Sequence, residues 1–151
     1  MSNTSDVDQN TEPSAFLLLE LNSEVPLYQQ IRDQVVVAMA EGRLPDGSPL
    51  PTTRQLAMDF GINFHTVNKA YDLLRREGFV SLTRKQGSFV RQAPEENAAA
   101  IGDWQNRLRT LIAEAIARGL SADQVLGRCQ AALDSFSPAS SGAQNETHPA
   151  S

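Results

Sequence analysis

The stretch "NFHTVNKAYDLLRREGFV", residues 63–80, decides how the rest of the chain is read. Its first turn offers Asn63, His65, Thr66 and Asn68, side chains ill suited to a buried core. Behind them Val67, Ala70, Tyr71 and Leu74 recur at helical spacing, and Gly78 supplies a stop. Asn63 is a favoured N-cap residue, which sets a helix from Asn63 to about Glu77. This predicted helix hides one stripe and presents a polar tip. The tip suits nucleic acid, but a plainer account stands beside it. Asn63 can serve only as a cap, His65 can be an ordinary surface histidine, and Thr66 can face a neighbouring helix.

Working upstream, "TTRQLAMDF" (52–60) forms a short helix closed by Gly61. Thr52 and Gln55 have the spacing of a capping box. The two helices are therefore joined by a tight turn at residues 61–63. Before them, "RLPDGSPLP" (43–51) holds three prolines and a glycine and must be a turn-rich connector. A further helix is expected from Pro26, a favoured first helical position, with Ser23 or Glu24 near its cap. Its inward stripe is Tyr28, Ile31, Val35, Ala38 and Met39, and Gly42 ends it. Downstream, "FVSLT" and "SFVRQ" are β-prone and flank "RKQG", which predicts a hairpin with Gly87 at the turn. Helix, short helix, tight turn, helix and hairpin make a winged helix-turn-helix plan.

The chain ends read differently. Residues 1–23 are expected to be a flexible arm, although "FLLLELN" (16–22) could equally be a strand or an extended segment. The winged domain spans 24–92, and 93–102 reads as a linker. Two helices follow within 103–136. One carries Trp104, Leu108, Leu111, Ile112, Ala115 and Ile116 on one face. The other is capped by Ser121 with Gln124 and carries Val125, Cys129, Ala132, Leu133 and Phe136. Isolated helices of this length are marginal, so both faces are expected to pack against a second copy. Two such helices cannot wrap a ligand pocket, and any effector would have to bind at the dimer interface or between domains. Residues 137–151 read as a disordered tail. The predicted class is mainly α with a small β-hairpin.

Net charge is −5, which on its face disfavours nucleic acid. The distribution reverses that. Residues 25–91 carry nine Lys and Arg against six acids, whereas the segments on either side are acidic. With one cysteine, Cys129, there is no internal disulfide. No apolar run approaches the roughly 18 residues of a membrane span, and the first residues lack a secretory signal, so a cytoplasmic protein is expected. No nucleophile set, phosphate loop, carboxylate pair or metal cluster suggests an enzyme or a cofactor. The alternative to DNA is a winged helix used for protein–protein assembly.

On the DNA reading each residue type has a use. Asn63 and Asn68 can pair bidentately with adenine, and Phe64 can meet a thymine methyl. Arg54 can reach a base or a phosphate. Thr52 and Thr53 can donate hydroxyls to phosphate, Lys69 can supply charge, and Arg84, Lys85 and Gln86 crown the hairpin before Gly87.

"VPLYQQIRDQVVVAMAEGRL", "LPTTRQLAMDFGINFHTVNKAYDLLRREGFV" and "QGSFV" resemble the DNA-binding domain of the GntR family of bacterial transcription regulators, over about residues 24–91. The short two-helix end and "NFHTVNKAY" are similar to its YtrA subfamily. The resemblance implies a homodimeric repressor of a palindromic double-stranded operator, controlling its own operon or nearby transporter genes. By position it also implies DNA contacts at Arg54, Asn63, Phe64, His65, Thr66, Asn68, Arg84, Lys85 and Gln86. The family's wing usually reads Gly-Lys-Gly. Here Lys85 stands where the first glycine belongs, and it would be strained if that position required positive φ.

Overall fold

A computed structural model describes residues 14–91 and 98–136. The order of elements is α1 (Leu27–Ala40), α2 (Thr53–Phe60), α3 (Phe64–Arg76), β1 (Val80–Thr83), β2 (Gly87–Val90), α4 (Ala98–Ala117) and α5 (Ala122–Phe136). These make two compact units, divided after the hairpin. The predicted termini at residues 1–13 and 137–151, and the start of the predicted linker, lie outside the described residues.

The first unit closes over a single apolar core. Ile31, Val35 and Ala38 of α1 meet Leu56 of α2, Val67, Ala70, Tyr71 and Leu74 of α3, and Val80 and Val90 of the hairpin. All are nearly or fully withdrawn from solvent. The period of the apolar residues selects the buried face of each helix, and glycine sets where each helix stops. Gly61, at φ 61°, donates its N–H to the carbonyls of Ala57 and Met58 and turns the chain out of α2. A side chain there would have to adopt the left-handed conformation that glycine takes freely. One ion pair joins α1 to the end of α3. Arg32 of α1 donates to both carboxylate oxygens of Glu77, at 3.1 and 2.6 Å, just past α3. That hydrogen bond raises the guanidinium pKa against the opposing effect of burial, and Asp33 adds to it.

Three parts of the unit differ from the sequence expectation. The arm expected to be flexible through residue 23 is docked from Ser14 onward. Leu17 enters the core while Leu18 points outward, the alternation of an extended chain. Two glutamines one helical turn apart hold this segment to α1. Gln34 takes the N–H and carbonyl of Leu18, and Gln30 does the same for Glu20. Each primary amide pairs as a neighbouring strand would. Ser14 adds a 2.7 Å bond from its hydroxyl to Asp59 of α2.

The connector before α2 is more than a turn. Gly47, Ser48 and Leu50 exchange backbone hydrogen bonds with Ser88 and Val90, and Pro49 bridges Phe89. The outer edge of β2 is thereby paired. The Tyr71 hydroxyl then donates to the Pro51 carbonyl at 2.6 Å, and burial pushes the phenol pKa up. The third difference lies in the capping box at α2, of which only half forms. Thr52 accepts from the Gln55 N–H, but the Gln55 side chain bonds to Asp59.

The second unit is α4 packed against α5. The linker expected over 93–102 is shorter than read, because residues 98–102 are already helical. An alanine run has the highest helix propensity, and Ile101 continues the stripe of Trp104 and Leu108. Ser121 and Gln124 form the reciprocal capping box at α5. No side chain of either helix is buried. Leu108, Ile112, Ala115, Val125, Cys129 and Phe136 are half-covered. Trp104, Leu111, Ile116, Ala132 and Leu133 stand in solvent together with Ile101 and Leu126, two residues the sequence reading left out. The signal for both was present. Ile101 precedes Trp104 by three residues, and Leu126 precedes Leu133 by seven.

Candidate nucleic-acid interface

The tip of α3 is built by its cap. Asn63 sits in the extended region, and its Oδ1 accepts from the His65 N–H at 2.8 Å. The cap satisfies one of the N–H groups that a helix start leaves without a partner, and it fixes the direction in which α3 leaves the turn. Val67, Ala70, Tyr71 and Leu74 then face the core, so His65 is carried to the opposite side, with Phe64 and Asn68 on the flank. Phe64 and His65 are exposed, while Thr66 and Asn68 are half-covered. The Phe64 and His65 rings meet edge to face, with centroids 5.6 Å apart. Each ring therefore limits the freedom of the other.

Beside this tip is the start of α2, with Thr52 at the cap, Thr53 half-covered and Arg54 exposed. The hairpin supplies the third group. Arg84, Lys85 and Gln86 form its exposed turn between the paired residues Thr83 and Gly87, and the Gln86 N–H bonds to the Thr83 hydroxyl at 3.1 Å. Positive φ falls on Gly87, and no non-glycine residue among those described has it. The strain anticipated for Lys85 is therefore absent, because this turn places its left-handed residue two positions later.

The cations of the unit divide into two sets. Arg54, Arg84 and Lys85 have no ion-pair partner among the described residues. Lys69, by contrast, is engaged on another element, its Nζ lying 4.0 Å from the centroid of the Tyr28 ring on α1. Arg75 pairs with Asp72 at the C-terminal end of α3, where a cation also suits the helix dipole.

Such an arrangement can do one kind of chemistry well. A helix tip that presents amide side chains fits a major groove, and cations beside it can meet phosphates. No group of three or more potential metal ligands occurs among the described residues, and no described helix is long and apolar enough to cross a membrane.

The fold and this surface define a winged helix-turn-helix DNA-binding domain. Residues 27–90 match the family described as bacterial regulatory proteins, gntR family. The solved YtrA of Sulfolobus acidocaldarius, a GntR-family transcription factor, is 36% identical, with a TM-score of 0.56 over 68% of this chain and 98% of that one. The HTH-type transcriptional regulator Rv1152 of Mycobacterium tuberculosis is 33% identical over 56% of this chain and 69% of its own length. The HTH-type transcriptional repressor YtrA of Bacillus subtilis is 35% identical over 48% of this chain, which spans 55% of that relative. This chain belongs to the GntR family and is a YtrA-like transcriptional regulator.

The observed cap and the expected DNA contact at Asn63 can be separated. Aspartate caps a helix as well as asparagine does, so Asn63→Asp should leave urea-unfolding stability within about 0.5 kcal/mol. It should nevertheless weaken DNA binding by roughly ten-fold or more, because a carboxylate at the tip repels the phosphates and loses the amide donor. Equal DNA affinity for the variant would reduce Asn63 to a cap.

Proposed function

We propose that the protein is a homodimeric repressor that binds a palindromic operator and controls its own operon, with nearby transporter genes as further targets. The observation that carries this reading is the convergence of three exposed groups on one core: the Asn63-capped tip of α3, Arg54 at the start of α2, and the Arg84–Gln86 turn. The uncovered apolar faces of α4 and α5 supply the reason for pairing, since two helices that bury no side chain need further apolar surface. A two-fold pair of α3 tips would read two half-sites about 34 Å apart. The repressor named among the relatives supports the sign of the regulation.

The test is footprinting on DNA upstream of the protein's own gene. Two protected, inverted half-sites about one helical turn apart are expected. With about six phosphates neutralised per dimer, affinity should fall about a thousand-fold between roughly 50 and 200 mM salt. Absence of any protected site in that region would remove the autoregulatory reading. A salt-independent affinity would remove the phosphate contacts.

A further inference from the structure

Arg54, Ala57, Met58, Gly61, Ile62 and Phe64 line a shallow hollow of about 380 Å³. Met58 is the odd residue there. Its neighbours Leu56 and Ala57 are buried, but Met58 is 77% exposed on a two-turn helix. Phe64, at 36% exposure, closes the other side, and the edge of His65 braces its ring. The lining is apolar apart from Arg54 on the rim.

An open apolar hollow lacks the converging polar groups that orient a small ligand. Its position suggests another occupant. It lies between Arg54 and the first residue of α3, both part of the surface assigned to DNA. Base edges in the major groove present donors and acceptors, with a single apolar exception, the C5-methyl of thymine. Arg54 on the rim complements the phosphate backbone that necessarily accompanies such a base.

We propose that Met58, Ile62 and Phe64 form a methyl-reading hollow that selects a thymine in each half-site, with Met58 a specificity-determining residue outside the recognition helix. This rests on the DNA-binding reading above. The side chain of Met58 is flexible and polarisable, and it can close over a methyl group against the fixed ring of Phe64. Ile62, partly buried against the core, forms the floor.

The test uses the full-length protein and a pool of duplexes with a randomised central region. After selection of the preferred site, each thymine is replaced in turn by deoxyuridine, which removes only the methyl. One position per half-site should respond, with about four-fold weaker binding for one substitution and about fifteen-fold for both. Met58→Ala should bring that penalty close to unity, and Met58→Leu should keep it. Because Met58 is exposed, neither change threatens folding. Deoxyuridine without effect at every position, or an undiminished penalty in Met58→Ala, would overturn the hollow and leave DNA binding intact. If the pool yields no enriched sequence, the DNA-binding reading falls, and this inference with it.

Discussion

Replacing Arg54 and Asn68 together by alanine should weaken binding to the selected operator by at least about a thousand-fold. Each proposed contact with a base edge should contribute about 1–3 kcal/mol, and the proposed two-fold dimer would lose each one twice. Arg54 is exposed and forms no ion pair among the described residues, and Asn68 lies on the flank of α3, half-covered and outside its buried stripe. Neither side chain supports the fold, so the unfolding midpoint and the sedimentation coefficient should match the wild type. A mobility-shift titration of the double variant gives the answer directly. Unchanged affinity would refute the DNA reading and leave the winged domain as a protein-assembly module.

The second large effect concerns the unit made by α4 and α5. A chain ending at Arg91 should sediment as a monomer, and its operator affinity should drop by about a hundred-fold or more. Two linked reading units share the cost of the first encounter, and unlinked ones do not. The winged unit encloses its own core from Leu17 to Val90, so the shortened chain should fold. A gentler variant checks the same point in the full chain. Leu111 and Leu133 are 60% and 63% exposed, so Leu111→Glu with Leu133→Glu should disturb neither helix. These charges should nonetheless prevent two copies from meeting. A dimer persisting without residues 92–151 would place the interface elsewhere.

The readable parts of this sequence are those governed by short-range rules. Asn63 announces a cap, Gly61 and Gly87 announce chain reversals, and the spacing of Val67, Ala70, Tyr71 and Leu74 announces a buried face. All appear in the structure where the residues place them. What the pattern conceals depends on partners distant along the chain. Gln30 and Gln34 look like ordinary polar positions on α1, yet they hold Leu18 and Glu20 through side-chain amides. The pairing of the connector with β2 joins Leu50 to Ser88, a match that no local propensity encodes. The same holds within the site. The charge of Lys69 suggested phosphate, and only the packing of α3 on α1 reveals Tyr28 beneath it. Nothing in the sequence sets Met58 apart, because a lone methionine on a short helix is usually core.

The segment from Gly47 to Pro51 has a consequence for how targets can vary. It is hydrogen-bonded to β2 on one side and receives the Tyr71 hydroxyl of α3 on the other, and it ends at the cap of α2. Wing turn, reading tip and α2 start are thus fastened to a common strap and behave as one stiff stamp. Natural operators for this regulator should therefore share an invariant half-site length, and whatever diversity they have should lie in the stretch between the two imprints.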